Sequence, residues 1–314
     1  MQYSTFAAID IGSYDVILEI FEISKKQGIR SVDKICHRME LGKDTYTLGK
    51  IRPEMEEELC RVLADFVRIM EGYRVDDYRA TASSAISEAS NSLYVLGKIH
   101  QLTGLSVTVL SNSEQRFLSY KALAAMEDNF NKIIEKGTAI LDLDGGSFQI
   151  SLFDKDALVT TQNIRMGSLR IRERLAGIQS ETEHYEEMVE ELIWNEVSSF
   201  KKMYLKDRKI ENIMLIGDVF TDSVYQNIEE KTTKIISREN FNTWYEKIIR
   251  QSPMELAVKL GIPLENASLM YPSAVIYKCL IDMMGAEHIW IPGVHMTRGI
   301  AYEYAAVSYT HLTL

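Results

Sequence analysis

The chain has only three cysteines, five prolines and six histidines in 314 residues, and none of its apolar runs approaches the ~18 residues of a membrane span. Cys36, Cys60 and Cys279 are odd in number, far apart and without CxxC spacing, which excludes a disulfide framework and a cysteine zinc site. His37, His100, His184, His288, His295 and His311 show neither HxH nor HExxH spacing, which removes a histidine metal site. The opening residues MQYSTFAAIDIG are strand-like where a signal peptide needs a basic flank and a cleavage site, so a cytoplasmic location away from any membrane is expected. Basic charge is scarce as well: 35 basic against 45 acidic side chains leave a net charge of −10. That balance argues against nonspecific nucleic-acid binding, while leaving room for a local patch that holds a small or polymeric anion. What remains is ordinary globular material, 46% hydrophobic and 25% charged, long enough for about two domains.

Residues 54–252 contain no proline, which permits long helices between strands. Short β-branched or apolar runs ending at Gly, Asp or Ser predict strands within Phe6–Phe21, Ser106–Leu110, Thr138–Leu143, Phe148–Phe153 and Ile213–Ile216. Pro53 opens a helix in which Leu59, Val62, Leu63, Phe66, Val67 and Met70 recur at helical spacing up to Gly72. Ser111 with Glu114, and Ser180 with Glu183, form capping-box patterns ahead of two further helices. Strands interleaved with helices make the fold class α/β.

An internal echo is more informative. Ile9-Asp10-Ile11-Gly12-Ser13 followed by Leu18-Glu19-Ile20-Phe21 is answered by Leu141-Asp142-Leu143-Asp144-Gly145-Gly146-Ser147 followed by Ile150-Ser151-Leu152-Phe153. Each half reads as a strand, an aspartate, a tight turn of small residues and a return strand. Gly and Ser let backbone N–H groups approach an anion, and an aspartate at a strand end can hold a cation against it. Two such hairpins, one per domain, predict a duplicated phosphate-binding architecture around a cleft. Taken singly, either aspartate could simply end its strand by accepting turn hydrogen bonds.

Seven segments in order, AAIDIGSYDVILEIFEI, HRMELGKDTYTLGKI, TASSAISEASN, VLSNSEQRFLSYKAL, AILDLDGGSFQISLFD, MGSLRI and GVHMTRGIAYEYA, resemble the motif blocks of the exopolyphosphatase/guanosine pentaphosphate phosphohydrolase (Ppx/GppA) family. The resemblance implies the actin/hexokinase-like fold, two ribonuclease-H-like domains flanking a cleft, and Mg2+-dependent release of terminal phosphate from inorganic polyphosphate or pppGpp. It places Gly12 and Ser13 on a first phosphate loop, and Asp144, Gly145, Gly146 and Ser147 on a second. Asp10, Asp142 and Gln149 fall at metal-holding positions. Glu114 falls on the glutamate that activates water, although Ser111 three residues before it also allows a capping role. Arg38, Arg298 and Gly217 lie in family-like blocks where they could contact substrate. The implied partners are a phosphorylated substrate and a second copy of the chain.

The sequence departs from the family pattern where phosphate would lie. Ile17 and Ser87 replace arginines, Gln149 replaces a glutamate, Asp144 replaces a glycine, and Asp218-Val219 replace Gly-Thr after Gly217. Lost cations and added acids weaken a polyanion clamp, so a degenerate member that senses or scaffolds a phosphorylated ligand is the alternative expectation. A sugar or carboxylate kinase of the same fold is less well matched, since LIGDVFTD offers no Gly-Gly or Gly-Thr adenosine loop. Domains are expected at 1–123 and 124–306. Residues 307–314, VSYTHLTL, break the pattern and read as a non-native tail.

Overall fold

A computed structural model of the chain describes residues 3–26, 28–126, 130–176, 185–206, 208–217, 219–227 and 235–311. They form two compact units, Met1–Ala125 with His295–Leu314, and Met126–Val294. The first unit carries a five-stranded sheet in the order β3-β2-β1-β4-β5. Its strands are β1 (Ser4–Ile11), β2 (Asp15–Ser24), β3 (Gly28–Arg38), β4 (Asp77–Ala82) and β5 (Val107–Val109). The first three form an antiparallel meander, and β4 and β5 then add in parallel to the other side of β1.

The second unit repeats this order. Strands β6 (Thr138–Leu143), β7 (Phe148–Asp154) and β8 (Ala157–Ile164) make the meander, and β9 (Asn212–Ile216) and β11 (His288–Trp290) extend it in parallel from β6. A short β10 (Ile235–Ser237) pairs antiparallel with β11 at the edge. The duplication predicted from the sequence is thus a duplication of topology, the pair of ribonuclease-H-like sheets of an actin/hexokinase-like α/β protein.

Helices cover both faces of β1, which explains why its residues read as a continuous apolar run rather than an alternation. Ala7, Ile9 and Ile11 face a core built with Leu59, Leu63, Phe66 and Met70 of helix Pro53–Tyr73. Phe6 and Ala8 face the opposite core, with Leu118 of helix Asn112–Met126 and Ile300, Ala301 and Ala305 of helix Met296–His311. The rings of Phe6 and Tyr304 stack at 4.0 Å. Glu19 of β2, 1% exposed, accepts hydrogen bonds from Ser31 and Thr297 on this same face.

The last helix therefore belongs to the first unit, and the expected boundary of a second domain running from 124 to 306 is corrected to end at Val294. Non-local packing against β1 and β2 decides this, and no local signal in the helix encodes it. The helix also continues through the first residues of the predicted tail, to His311. Strands β3, β4 and β8 were not marked by apolar runs, because their side chains are largely polar or half-exposed. The Ser180–Glu183 capping box and Asp218 lie outside the described residues.

Helices Asn112–Met126 and Met296–His311 approach closely at Gly299, where an added Cβ would lie 2.4 Å from the backbone carbonyl oxygen of Leu118. Gly299→Ala is expected to destabilise the protein by about 1–3 kcal/mol through overpacking against backbone. Urea unfolding followed by circular dichroism checks this; an unchanged midpoint would contradict the close approach.

Candidate functional site

Each meander starts with the same turn. Gly12 N–H donates to the Asp15 carbonyl at 2.9 Å, and Asp144 N–H donates to the Ser147 carbonyl at 2.9 Å. Each turn follows a strand whose penultimate residue is an aspartate, Asp10 in β1 and Asp142 in β6. The registers match as well: Asp10 lies opposite Ile17, and Asp142 lies opposite Gln149. Strand pairing thus places the two predicted metal-holding aspartates identically within their own units. In both, the turn sits at the carboxyl end of a strand with a parallel neighbour, which is where α/β sheets bind ligands.

The first turn is held on all sides. Gly42 N–H donates to the Ser13 carbonyl at 2.7 Å and Met39 N–H donates to the Tyr14 carbonyl at 3.0 Å. Ser13 is completely buried, its hydroxyl 2.6 Å from Tyr46 Oη and 3.2 Å from Ser84 Oγ. Its side chain is therefore a structural tie, which leaves backbone groups of this turn as the candidates for an anion, as expected for a phosphate loop. Arg38 stands beside the turn, with Nη1 3.7 Å from Asp15 Oδ2 and the guanidinium 5.4 Å from the centre of the Tyr14 ring. Asp10 is half-buried, and Thr81 Oγ1 donates to its Oδ1 at 3.5 Å. Arg298 instead has its Nε 3.9 Å from the buried carboxylate of Glu19, an anchor for the last helix.

The second turn folds back on itself. Asp144 Oδ1 accepts the Gly145 N–H at 2.6 Å, so the extra acid stands where a phosphate oxygen could bond that amide. Ser168 N–H donates to the Asp144 carbonyl, Arg170 N–H to the Gly145 carbonyl, and Arg170 Nε to the Gly146 carbonyl at 2.8 Å. Gly167 packs so closely that an added Cβ would lie 2.2 Å from the Asp144 carbonyl oxygen. Gly167 and Arg170 escaped the site reading, although both lie in or beside the MGSLRI segment. Gly217, with φ of 101°, backs onto Asp142: a Cβ there would lie 2.6 Å from Asp142 Oδ1. The structure therefore brings Asp142, Gly145, Gly146, Ser147 and Gly217 together in the second unit.

Gln149 is 5% exposed and its Oε1 has no hydrogen-bond partner. Asn163 lies directly opposite it on β8, and its Oδ1 is likewise buried and unpartnered. Among the described residues no group of three or more His, Cys, Asp or Glu side chains is placed to hold a metal ion. Magnesium, however, needs only one or two carboxylates and completes its octahedron with water and phosphate oxygens. Asp142 beside the unsatisfied Gln149 oxygen fits such an ion, as does Asp10.

Glu114 begins helix Asn112–Met126 and is exposed. Its Oε2 accepts from Ser111 N–H at 2.8 Å and Ser111 Oγ at 2.7 Å, while its own N–H donates to Ser111 Oγ. The capping role is real. The hydrogen bonds from the Ser111 side chain and backbone, with help from nearby Arg79, hold its carboxyl below the usual glutamate value. Glu114 is thus ionised at neutral pH, as a base must be, but is a weaker base than a free glutamate.

A family model, the Ppx/GppA phosphatase family, matches residues 19–306. The chain belongs to the Ppx/GppA family. It is 21% identical over 310 residues to a bifunctional 3-dehydroquinate synthase/phosphatase of Fusobacterium nucleatum, a match covering 90% of this chain and 44% of that protein. It is 25% identical over 144 residues to exopolyphosphatase 1 of Mycobacterium leprae, covering 46% of this chain and 41% of the relative. The chain spans less than half the length of these curated relatives. Among solved structures, an exopolyphosphatase from Cytophaga hutchinsonii superposes with a TM-score of 0.86 at 17% identity, covering 97% of this chain and 98% of that one. The Aquifex aeolicus Ppx/GppA family member superposes with a TM-score of 0.77 at 18% identity, covering 98% and 99%. At such identities the superpositions show the Ppx/GppA fold alone. No helix among the described residues is long and apolar enough to cross a membrane.

The Glu114 cap makes a signed pH prediction. Because its folded-state pKa is depressed, the stabilisation is present above the unfolded glutamate value, near 4.5, and is lost as pH falls through the lower folded value. The melting temperature of Glu114→Gln should lie below that of the wild type at pH 7, and the gap should close as pH drops below 4.5. A gap independent of pH would remove the ionised cap.

Proposed function

We propose that the chain is a Ppx/GppA-type phosphohydrolase that removes the terminal phosphate of a phosphoanhydride chain, inorganic polyphosphate or pppGpp. The observation that carries this reading is the doubled turn, with Asp10 and Asp142 in matching registers at the ends of equivalent strands. Since the Gly12 N–H is held by the Asp15 carbonyl, the first turn offers the Ser13 N–H and the second those of Gly145 to Ser147 to phosphate oxygens, and Arg38 adds positive charge beside the first turn. Glu114 orients or deprotonates the attacking water, being exposed and ionised. In the second unit Asp142, with the Gln149 carboxamide oxygen, would hold magnesium, and in the first unit Asp10 is the matching carboxylate; the ion would neutralise phosphate charge.

A second reading, a family member that binds a phosphorylated ligand without turning it over, is favoured by the Asp144 carboxylate on the Gly145 amide and by the carboxamide at Gln149. Phosphate release by the purified protein with magnesium, offered polyphosphate and pppGpp separately, decides between the two. Turnover that scales with protein and disappears in Glu114→Gln supports the hydrolase, since glutamine keeps an acceptor for the cap while losing the base. No release from folded protein, together with thermal stabilisation by either compound, supports the sensor.

Asp144→Gly frees the Gly145 amide and removes a negative charge from the turn. Its apparent affinity for polyphosphate is expected to rise about tenfold, read by ligand-induced thermal shift. Weaker binding would show that Asp144 itself contacts the ligand or its cation.

A further inference from the structure

Among the described residues of the first unit, the Ser83 hydroxyl is a buried polar group that the fold leaves without a hydrogen-bond partner. Ser13, Tyr46 and Ser84 form a closed ring of hydroxyls, with Ser13 Oγ to Tyr46 Oη at 2.6 Å, Tyr46 Oη to Ser84 Oγ at 2.9 Å and Ser84 Oγ to Ser13 Oγ at 3.2 Å. Three hydroxyl protons serve three contacts, so the ring satisfies itself. Thr45 Oγ1 adds a hydrogen bond to the Ala85 carbonyl at 2.7 Å, fixing helix Leu41–Leu48 against the short helix Ser84–Ser87.

Ser83 is the neighbour of this ring and stands outside it. It follows the last residue of β4, and its N–H donates to the carbonyl of Ile11, the last residue of β1, at 3.2 Å. It is therefore pinned at the carboxyl ends of the two central parallel strands, next to the Gly12 turn. The residue is 8% exposed, its Oγ is buried without a hydrogen-bond partner, and it does not cap the helix that it precedes. A buried hydroxyl without a partner costs stability unless something else satisfies it.

We propose that Ser83 is a substrate-binding residue whose hydroxyl donates to a phosphate oxygen of the ligand, on a strand end that the Ser13–Tyr46–Ser84 ring holds in place. This rests on the phosphohydrolase or phosphate-sensor reading above and adds to it a neutral donor in a turn region with few cations. A neutral donor recognises phosphate through direction more than charge, and it remains useful where Asp15 lies close to Arg38.

The test separates a ligand contact from a structural one. Removing an unsatisfied hydroxyl does not cost the free protein a hydrogen bond, so Ser83→Ala should melt at the wild-type temperature or up to about 2 °C higher. Its affinity for medium-length polyphosphate, from ligand-induced thermal shift, should fall by about ten- to a hundredfold, and Ser83→Thr, which keeps the hydroxyl, should recover most of it. A lower melting temperature with unchanged affinity would overturn the proposal by showing a structural role. Equal affinity of Ser83→Ala and wild type would overturn it while leaving the phosphate reading intact. If neither polyphosphate, pppGpp nor orthophosphate stabilises the wild type, the phosphate reading falls and the Ser83 contact falls with it.

Discussion

One backbone hydrogen bond, made twice, sets the rest of the structure: the N–H of the residue after a strand closes onto the carbonyl three residues later, from Gly12 to Asp15 and from Asp144 to Ser147. That closure fixes the register of the meander that follows. Because side chains alternate along a strand, a slip of one residue would turn Asp10 and Asp142 to the opposite face of their sheets. The same closure brings Ile17 and Gln149 opposite the two aspartates, so one register sets both the retained and the altered positions of the family pattern.

Among the contacts described, several polar groups at these turns are satisfied within the fold. Asp144 occupies an amide of its own loop, Ser13 is locked into a hydroxyl ring, and Arg298 is close to Glu19 rather than to a turn. Arg38 and Arg170 are the arginines that touch turn residues among the contacts described. Arg170 spends its Nε on the Gly146 carbonyl, which makes it a brace for the loop backbone. On the reading proposed above, phosphate recognition would rely more on oriented backbone and hydroxyl dipoles than on opposite charge, which would place a premium on rigidity of the turns.

Much of this was legible in the sequence because it is local. The echo of a strand, an aspartate and a turn of small residues depends on neighbours within a dozen positions, and the helix from Pro53 runs as its periodicity indicates. The Ser111–Glu114 spacing likewise declared its cap. What escaped is set by partners far away in the chain. Strand β3 alternates between exposed and half-exposed residues at a sheet edge and carries no apolar signature. Gly167 is required by the backbone of Asp144, and Ser83 is distinguished only by a missing partner; neither condition is written in adjacent residues. The last helix, too, looked like the end of the second domain because nothing in GIAYEYAA names Phe6 as the ring on which Tyr304 stacks.

That helix makes the first unit a discontinuous one, with the whole of the second unit threaded between its parts. On the ribosome, Phe6, Ala8, Phe21 and Ile23 are made before the second unit, yet Ile300, Ala301 and Ala305 complete their cover only after residues 126–294 have emerged. The second unit is continuous in sequence, so all its strands are available before the first unit's sheet can be sealed on both faces. Of the two units, the one begun first is finished second, and during synthesis its early strands carry an apolar face that waits for the helix Met296–His311.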